Sequence, residues 1–416
     1  MNTDFPPSHA ARVRPLWTLD ANTTFLNHGS FGACPKPVLD VQSEFRAQLE
    51  RQPVRFFLRE SEKLLGAAFD ALGQVLGANP EDLAFMSNAT AGVNTVLRSL
   101  QFAPGDEILI TDHGYNACNN AVRFVAEKSG ARVVVVPFPY PITNPDEIVE
   151  AILAQVTPGK TKLALFDHIT SPTAIVLPIE KIVPALHERG VDSLIDGAHA
   201  PGMVPVDLNA LGAAYYAGNC HKWLCAPKGA AFLHVRKDKQ QANDDQPLIR
   251  PLSISHGANA KLGKHKRFRL EFDWTGTDDP TAWLSIPAAI RFLTDLLPGG
   301  LAGLREYNHA LAVAARRHLC ATFNTPPPVP DSMIGSLATI VLPEMSAEVA
   351  GPNDHFGISV LQERLFTRHS IEVPIIVTSP QLVNWPARFV RISAQIYNDP
   401  EDYRRLGQAI LTEIKV

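Results

Sequence analysis

The chain has 416 residues and a mass of 45.4 kDa, which is too long for one small core and predicts two domains, or one large domain with an appendage. The apolar share of 45% and the charged share of 19% are typical of a folded protein and exclude a disordered one. The net charge of −4, from 38 Lys and Arg against 42 Asp and Glu, favours neither nucleic acid nor an anionic membrane as a partner.

Apolar runs and cysteines predict the compartment. No window approaches the roughly 18 consecutive apolar residues of a membrane span, and residues 1–15 lack the apolar stretch of a signal peptide. The five cysteines are an odd number, scattered along the chain, which fits reduced thiols better than a disulfide framework. We therefore expect a cytoplasmic protein with no membrane partner.

Residues 60–300 alternate short β-rich runs with helical patterns. Strands are predicted at 82–86, 107–111, 132–136, 162–166, 193–195 and 230–235, and helices near 91–100, 117–129, 145–156 and 179–189. Near-continuous apolar strands separated by helices are typical of a mostly parallel sheet covered on both faces. The valine run after Arg132 is the sharpest instance, because a half-exposed strand would alternate. The fold class predicted is α/β.

The C-terminal part follows a different pattern. Helices are predicted at about 280–296, 301–323 and 400–414, with strands at 338–342 and 389–392. We expect an N-terminal arm at 1–30 that packs with the small domain, a large domain at 31–297 and a smaller α+β domain at 298–416, divided near the Leu-Pro-Gly-Gly stretch at 297–300. The polar and then basic stretch 237–269 is interpreted as a solvated loop.

Polar groups follow the predicted strands at the edge where ligands collect in open α/β sheets. Asn88 and Thr90 open a helix after the first strand, where free backbone N–H groups would bind a phosphate, although a simple N-cap is the alternative. Tyr115, in polar company after the second strand, suits the face of a planar ring. Thr170 and Ser171 supply hydroxyls after a later strand.

Two further segments add an acid and an amine. Asp196 and His199 follow the strand at 193–195, and Lys222 lies beside Trp223 a little later. A carboxylate at the end of a buried strand is costly unless a cation meets it, and a desolvated lysine becomes a nucleophilic amine. Taken singly, these would be a helix cap and a surface lysine, but their combination in one sheet disfavours that interpretation.

Together these groups meet the requirements of pyridoxal phosphate. Its aldehyde needs a neutral amine, and its phosphate needs a helix N-terminus with hydroxyls. Its ring nitrogen needs a carboxylate that keeps it protonated, and its ring face needs an aromatic partner.

Five short motifs in order then resemble the class V aminotransferase family of fold-type I pyridoxal phosphate enzymes, and within it the isopenicillin N epimerase-like branch. The motifs are Leu26-Asn27-His28-Gly29-Ser30-Phe31-Gly32, Asn88-Ala89-Thr90, Asp196-Gly197-Ala198-His199, Cys220-His221-Lys222-Trp223 and Trp274-Thr275-Gly276-Thr277. The resemblance covers residues 20–410. It implies a large cofactor-binding domain with a mostly parallel seven-stranded sheet, a smaller C-terminal α+β domain, and pyridoxal 5'-phosphate as the cofactor.

The resemblance also implies which residues surround the cofactor ring. Lys222 would form the Schiff base and carry the α-proton of the substrate. Asp196 would pair with the ring nitrogen, and His199 would approach the phenolic oxygen. Tyr115 would stack on the ring, with His113 and Asn116 as alternatives because the local match is short. Ser171, or less surely Thr170, would contact the phenolic side.

Other positions would hold the phosphate. The amides of Ala89 and Thr90, the Thr90 hydroxyl and His221 are implied for this cofactor group. Thr277 would reach the phosphate of the partner subunit's cofactor, which implies a homodimer with active sites at the subunit interface. No metal is implied.

The substrate side is implied less completely. Arg391 matches the arginine that clamps the substrate α-carboxylate, for which a bidentate fork is better suited than lysine. His28 and Tyr115 are both candidates for a second acid on the opposite face. Arg55, with the aromatic pair that follows it, would shape a side-chain pocket, unless this segment is an ordinary amphipathic helix start.

Two departures from the family pattern bear on the chemistry. Cysteine desulfurases carry a nucleophilic cysteine shortly before that arginine, but residues 370–389 contain none, which argues against persulfide chemistry. Cys220 stands where many relatives have Ser or Thr. Because a thiol is a poor hydrogen-bond donor, the phosphate would depend on its other partners.

These patterns favour an isopenicillin N epimerase-like isomerase acting at the α-carbon of an amino acid or peptide-like amine. The alternatives are a lyase that cleaves the C–S bond of a cysteine conjugate or sulfoxide, and a transferase of the class V aminotransferase type. A metal hydrolase built on His113, Asp167, His168, Asp196 and His199 would leave Lys222 and Arg391 unexplained. A non-catalytic scaffold is disfavoured because every cofactor-handling residue type is present.

Overall fold

The computed structural model describes residues 5–241, 248–263, 266–351, 353–355, 357–378 and 385–414. The strands are β1 Thr24–Phe25, β2 Leu83–Met86, β3 Glu107–Thr111, β4 Arg132–Val136, β5 Thr161–Asp167, β6 Asp192–Gly197, β7 Tyr215–Asn219, β8 Ala231–Val235, β9 Leu337–Val341, β10 Ile371–Glu372, β11 Ile375–Val377 and β12 Arg388–Ser393.

Helices lie between the strands and after them. They are α1 Ala10–Val13, α2 His28–Phe31, α3 Lys36–Arg51, α4 Pro53–Arg55, α5 Ser61–Leu76, α6 Ala89–Ser99, α7 Asn116–Ser129, α8 Pro145–Ala154, α9 Ile179–His187, α10 Leu208–Leu211, α11 Arg267–Phe272, α12 Thr281–Leu284, α13 Ile286–Thr294, α14 Gly300–Phe323, α15 Val360–His369 and α16 Pro400–Ile414. A π-helical turn, Phe56–Glu60, links α4 to α5. In the described part of the chain, no helix has the length and apolar character of a membrane span.

A seven-stranded sheet forms the centre of the molecule, in the order β2-β8-β7-β6-β5-β3-β4. All neighbours are parallel except β8, which runs antiparallel to β2 and β7. Every residue of β3, β7 and β8 is buried, because helices cover both faces. The predicted α/β class with a mostly parallel sheet is confirmed.

Two strands differ from the prediction. β4 lies at the sheet edge, so its valine run is not fully buried, and Val135 is 41% exposed. β7 was not predicted, because its Ala217 and Gly218 dilute the β-rich signal. These small residues are required by close packing: a Cβ on Gly218 would lie 2.6 Å from the Phe232 ring, and one on Gly92 of α6 would lie 2.9 Å from the Ala217 Cβ.

The C-terminal part contains a smaller antiparallel sheet, β11-β12-β9, against which α14 packs. The N-terminal segment joins this part, since β1 pairs in parallel with β10 and Trp17 packs edge-on against Tyr397 at 5.1 Å. Residues 295–299 link α13 to α14, which pack against each other. The division into 1–30, 31–297 and 298–416 stays a prediction.

The expectation of a solvated loop over 237–269 is wrong at its C-terminal end, and residues 242–247 and 264–265 of it lie outside the described part. Residues 267–272 form α11, in which Phe268 and Arg269 are buried. The Arg269 guanidinium lies 3.9 Å from the centre of the Phe69 ring and pairs with Asp273. Cation–π contact and ion pairing allow a basic side chain to be buried, so a run of basic residues did not indicate a solvated surface. The helix predicted at 280–296 is two helices, α12 and α13.

Candidate active site

A cavity of about 520 Å³ opens at the carboxyl edge of the central sheet. The carboxyl ends of β5, β6 and β7 and the N-terminus of α6 meet there. Seven of the residues predicted for the site line this cavity: Thr90, Tyr115, Ser171, Asp196, His199, His221 and Lys222. The sheet topology thus brings together side chains that are up to about 130 residues apart in the sequence.

The N-terminus of α6 forms one end of the cavity. Asn88 is extended at φ −166° and caps the helix, accepting a hydrogen bond from the Ala91 N–H at 2.8 Å. The Ala89 N–H, implied to hold a phosphate, instead donates to Asn219 Oδ1 at 2.8 Å, and Ala89 does not line the cavity. Thr90 does line it, so the anion-binding capacity of this helix end lies with Thr90.

Lys222 follows β7 and projects its amine into the same cavity. Burial and then the charge of Arg391 lower its pKa to about 8, although Asp196 and Asp167 act in the opposite sense. About one amine in ten is therefore uncharged at pH 7, far more than for an exposed lysine. The N-terminal segment packs closely against the segment that carries Lys222, and Gly32 makes this contact possible. A Cβ on Gly32, at φ +69°, would lie 2.3 Å from the His221 carbonyl oxygen.

His199 orients the amine. Its Nε2 lies 3.1 Å from Lys222 Nζ, and its Nδ1 lies 3.4 Å from the indole nitrogen of Trp223. Because an indole N–H can only donate, Nδ1 is the acceptor and Nε2 carries the proton, which it donates to the uncharged amine. Burial, followed by the charge of Lys222, lowers the pKa of His199 well below its usual value, consistent with this neutral tautomer.

Two buried carboxyls lie side by side in the cavity floor. Asp167 of β5 and Asp196 of β6 are register partners. Asp196 accepts from the Cys118 thiol at 3.1 Å and from the Ala198 N–H at 3.0 Å. Burial raises the pKa of both carboxyls, and the proximity of Asp196 raises that of Asp167 further. Such a pair favours a cation between or beside its oxygens.

Tyr115 is the residue of its segment that reaches the cavity. His113 is buried, with Nδ1 2.7 Å from the Thr173 hydroxyl, and Asn116 begins α7. In the next segment the Thr170 hydroxyl is also occupied by Thr173, at 2.8 Å.

Arg391 of β12 lies behind the cavity wall rather than in it. Its guanidinium donates to the Ser171 carbonyl oxygen and, at 2.9 Å, to the Ser30 hydroxyl, and both serines line the cavity. Its Nε is buried and has no hydrogen-bond partner among the described residues. Burial lowers the pKa of Arg391 to about 10, so it remains a cation with an unused donor.

Besides Ala89 and Arg391, three more predicted residues do not line this cavity. His28 is fully buried, with Nδ1 2.7 Å from the Tyr397 hydroxyl and Nε2 3.1 Å from the Lys222 carbonyl oxygen. Both ring nitrogens are thus occupied, Nε2 supports the Lys222 backbone, and the substrate role of His28 stays a prediction. Arg55 is exposed and pairs with Glu60 at 2.5 Å. Thr277 is exposed in the loop before α12.

Sequence reasoning missed several residues that line the cavity: Ser30, Phe31, Asp167, Asn219 and Lys228. Ser30 and Phe31 lie within the first motif, which could have indicated them, and Asp167 and Asn219 end strands, so the strand-end rule would have indicated those two. Cys220, the departure from the family pattern, is fully buried and does not line the cavity.

The residues fit pyridoxal phosphate. The uncharged Lys222 amine suits its aldehyde, the paired carboxyls suit a protonated ring nitrogen, and Thr90 with His221 suits its phosphate. His221 Nδ1 is buried without a hydrogen-bond partner in the described part of the protein, which leaves it available. Among the described residues, no group of three or more His, Cys, Asp or Glu side chains is arranged to hold a metal ion.

Comparisons with known proteins agree with this chemistry. Residues 32–406 match the family model described as aminotransferase class-V. The chain is 34% identical over 415 residues to isopenicillin N epimerase of Amycolatopsis lactamdurans, covering 96% of this chain and 97% of that protein. It is 31% identical over 409 residues to a probable chloroplastic L-cysteine desulfhydrase of Arabidopsis thaliana, covering 94% and 83%.

Solved structures support the fold. The C–S lyase C-DES, in a mutant with glycine covalently linked to its pyridoxal phosphate cofactor, superposes with a TM-score of 0.75 at 20% identity, covering 95% of this chain and 98% of that one. Cysteine desulfurase CsdA of Escherichia coli gives 0.73 at 18% identity, covering 99% of each. The chain belongs to the class V aminotransferase family, and it is an enzyme with the fold and the pyridoxal phosphate cofactor of that family.

Proposed function

We propose that this enzyme removes the α-proton of an amino acid or peptide-like amine and returns a proton to the opposite face, as an epimerase. The observation that carries the proposal is the Lys222 amine, buried in the cavity with its pKa lowered to about 8 and held by His199 at 3.1 Å. An amine with that pKa is matched to proton transfer near neutral pH. The isopenicillin N epimerases of two bacteria, at 34% and 32% identity, support this choice.

Pyridoxal phosphate, when bound, withdraws electrons from the substrate α-carbon and so makes its proton removable. Lys222 would attach the cofactor and would then accept the α-proton at Nζ. Asp196 would hold a proton on the ring nitrogen, with both of its oxygens oriented by Cys118 and Ala198. Thr90 and His221 would bind the phosphate, and Ser171 would lie on the phenolic side of the ring.

Arg391 would hold the substrate carboxylate at the cavity wall, since its Nε has no hydrogen-bond partner among the described residues and its other nitrogens bond to Ser30 and Ser171 of the cavity lining. Of the two residues considered as the second acid, Tyr115 is the one that lines the cavity. Burial raises the pKa of Tyr115, so the phenol keeps its proton and can donate it.

A C–S lyase is the second candidate. Plant L-cysteine desulfhydrases match over nearly the whole chain at 31% identity, support comparable to that for the epimerase. The same base and carboxylate clamp would serve, because β-elimination also begins with removal of the α-proton. Persulfide chemistry is not proposed, since residues 370–389 contain no cysteine.

One experiment separates these activities. The purified holoenzyme is incubated in deuterated water with a panel of amino acids that includes cysteine and peptide-like amines. Deuterium at the α-carbon with inverted configuration supports the epimerase. Release of pyruvate and sulfide supports the lyase, and a 2-oxo acid formed with an amino acceptor supports a transaminase. Absence of α-deuteration with every substrate, matching a Lys222→Ala control, would refute the proposal.

We also propose a homodimer. Arg55 and Thr277, which do not reach this chain's cavity, are on neighbouring segments, since the Phe57 ring packs edge-on against Trp274 at 5.7 Å. Val54 and Leu58 in the same region are 59% and 75% exposed, as expected of a surface that a second subunit covers. Thr277 would then serve the partner's cofactor. Sedimentation equilibrium of the holoenzyme tests the dimer.

A cytoplasmic location is proposed as well. The five cysteines are all free and buried, which fits a reducing compartment. Fractionation of the source cells with an antibody against the protein tests this location.

A further inference from the structure

Asp167 is a buried cavity residue to which the proposed mechanism gives no role. It is the last residue of β5 and 4% exposed, and it lines the cavity beside Asp196. A buried carboxyl is costly unless its oxygens have partners, so the partners of Asp167 indicate what it does.

Those partners are backbone amides of two different segments. Asp167 Oδ1 accepts from the Tyr115 N–H at 3.3 Å, and the nearby Ser171 backbone amide, like that of Tyr115, favours the ionised carboxyl by lowering its pKa against the effect of burial. Tyr115 follows β3 and immediately precedes α7, and Ser171 is in the segment after β5. One carboxyl therefore joins the segments that follow two neighbouring strands of the sheet.

Both segments place a side chain in the cavity lining. The Tyr115 side chain lines the cavity. Ser171 accepts hydrogen bonds from the Arg391 guanidinium at its carbonyl oxygen and, at 3.3 Å, its hydroxyl. A displacement of the Tyr115 amide would thus move the phenol that lines the cavity. A displacement of the Ser171 amide would move the Arg391 guanidinium, which is proposed to hold the substrate carboxylate.

We propose that Asp167 is a positioning residue that holds Tyr115 against the cofactor ring and, through Ser171, holds Arg391 in place for the substrate carboxylate. This inference rests on the proposed function. It requires acceptor oxygens at position 167, so an asparagine, which keeps one carbonyl oxygen, retains part of the role.

Asp82 provides a matched control. It is 7% exposed, and its Oδ1 accepts from Gln240 Nε2 at 2.6 Å and from Lys266 Nζ at 3.4 Å. It is also a buried, hydrogen-bonded aspartate, but it directly precedes β2, at the opposite end of that strand from Asn88 and the cavity. Removing its carboxyl perturbs folding without touching the site.

The test uses the full-length wild type and the variants Asp167→Ala, Asp167→Asn and Asp82→Ala, each stripped of cofactor and titrated with pyridoxal phosphate. The dissociation constant and the visible circular dichroism of the bound cofactor report on the Tyr115 contact. Titration of each reconstituted protein with propionate, a carboxylate without an amine, reports on Arg391. Thermal unfolding is measured in parallel.

We expect Asp167→Ala to weaken cofactor binding and propionate binding by about tenfold each and to change the dichroism, as for the loss of a buried hydrogen-bond acceptor. Asp167→Asn should remain within about threefold of the wild type, because its oxygen still accepts an amide. Asp82→Ala should lower thermal stability and leave both affinities unchanged.

Several results would overturn the proposal. These are Asp167→Ala affinities equal to those of the wild type, equal losses in Asp167→Ala and Asp82→Ala, or an asparagine variant as weak as the alanine variant. If Asp167→Ala does not fold, Asp167→Thr, with one hydroxyl acceptor, takes its place under the same criteria. A wild type that binds no pyridoxal phosphate overturns the proposed function and this inference together, whereas a binding wild type with indifferent variants overturns this inference alone.

Discussion

The lowered pKa of Lys222 predicts how fast the cofactor attaches to the apoenzyme as pH changes. Burial and then the Arg391 charge bring this pKa from 10.5 to about 8. At pH 7 about one amine in ten is then uncharged, compared with about one in three thousand for an unperturbed lysine. Since only the uncharged amine attacks the aldehyde, the second-order rate should be about 300-fold above that of an exposed lysine from this effect alone.

Stopped-flow mixing of apoenzyme with pyridoxal phosphate, followed by visible absorbance, measures this rate. It should rise about tenfold per pH unit below pH 8 and level off above it, while the reaction of N-acetyl-lysine continues to rise toward pH 10.5. Borohydride reduction and peptide mapping identify the attached residue. Lys228→Ala, which alters a second lysine of the cavity lining, should keep the attachment, and Lys222→Ala should lose it. If the attachment rate of the apoenzyme instead rose up to pH 10 as the rate of N-acetyl-lysine does, the lowered pKa of Lys222 would be refuted.

The same shift predicts the stability of the apoenzyme. Because folding lowers the pKa, the neutral Lys222 contributes most to stability above about pH 10.5, and this contribution is lost as the pH falls through about 8. The full difference is about 3 kcal/mol. Urea unfolding of the wild type should therefore gain stability between pH 8 and pH 10 relative to Lys222→Met, which lacks the titrating amine. If the free energy of unfolding of the two proteins depended on pH in the same way, the lowered pKa of the Lys222 amine would be contradicted.

Three further predictions concern the site and its assembly. Arg391→Lys keeps the positive charge but removes the paired N–H donors of the guanidinium. KM for a carboxylate substrate should therefore rise about tenfold or more, with a smaller change in kcat. An unchanged KM would contradict the proposed binding of the substrate carboxylate by Arg391. Gly32→Ala places a Cβ 2.3 Å from the His221 carbonyl oxygen in a left-handed conformation, so we expect a loss of about 2 kcal/mol or more in urea unfolding, and a loss below 0.5 kcal/mol would contradict the close packing. If Thr277 serves the partner's cofactor, dimers reassembled from Lys222→Ala and Thr277→Ala chains should contain one site with both defects and one intact site. Restoration of part of the activity on mixing checks this, and two inactive parents that stay inactive after verified subunit exchange would refute it.

Much of the fold was predictable because hydrophobic patterning depends on local sequence. The strands β3 and β5 and the helices α7 and α9 lie within a few residues of their predicted positions. The errors about β4 and α11 have a common cause: the burial of an element depends on neighbours that are distant in sequence. The valines of β4 are β-branched, which favours a strand, but its edge position in the sheet decided their exposure.

The site was predictable to the extent that parallel strands bring their carboxyl ends to one edge. That rule and the family resemblance predicted Lys222, Asp196 and Thr90 as site residues from the sequence alone, and all three line the cavity. They did not identify Asp167 as a link between segments, since its partners are backbone amides and no residue type marks a backbone amide.

The amino-acid sequence by itself determined the fold class and the family, and it singled out Lys222 as the proposed reactive amine, because these depend on residue types in a fixed order. Only the tertiary structure decided which polar groups are free to act. His28 is occupied by Tyr397, 369 residues away, and the Ala89 amide by Asn219, 130 residues away. The physical reason is that a buried polar group must satisfy its hydrogen-bonding capacity, and its partner is set by packing between distant segments.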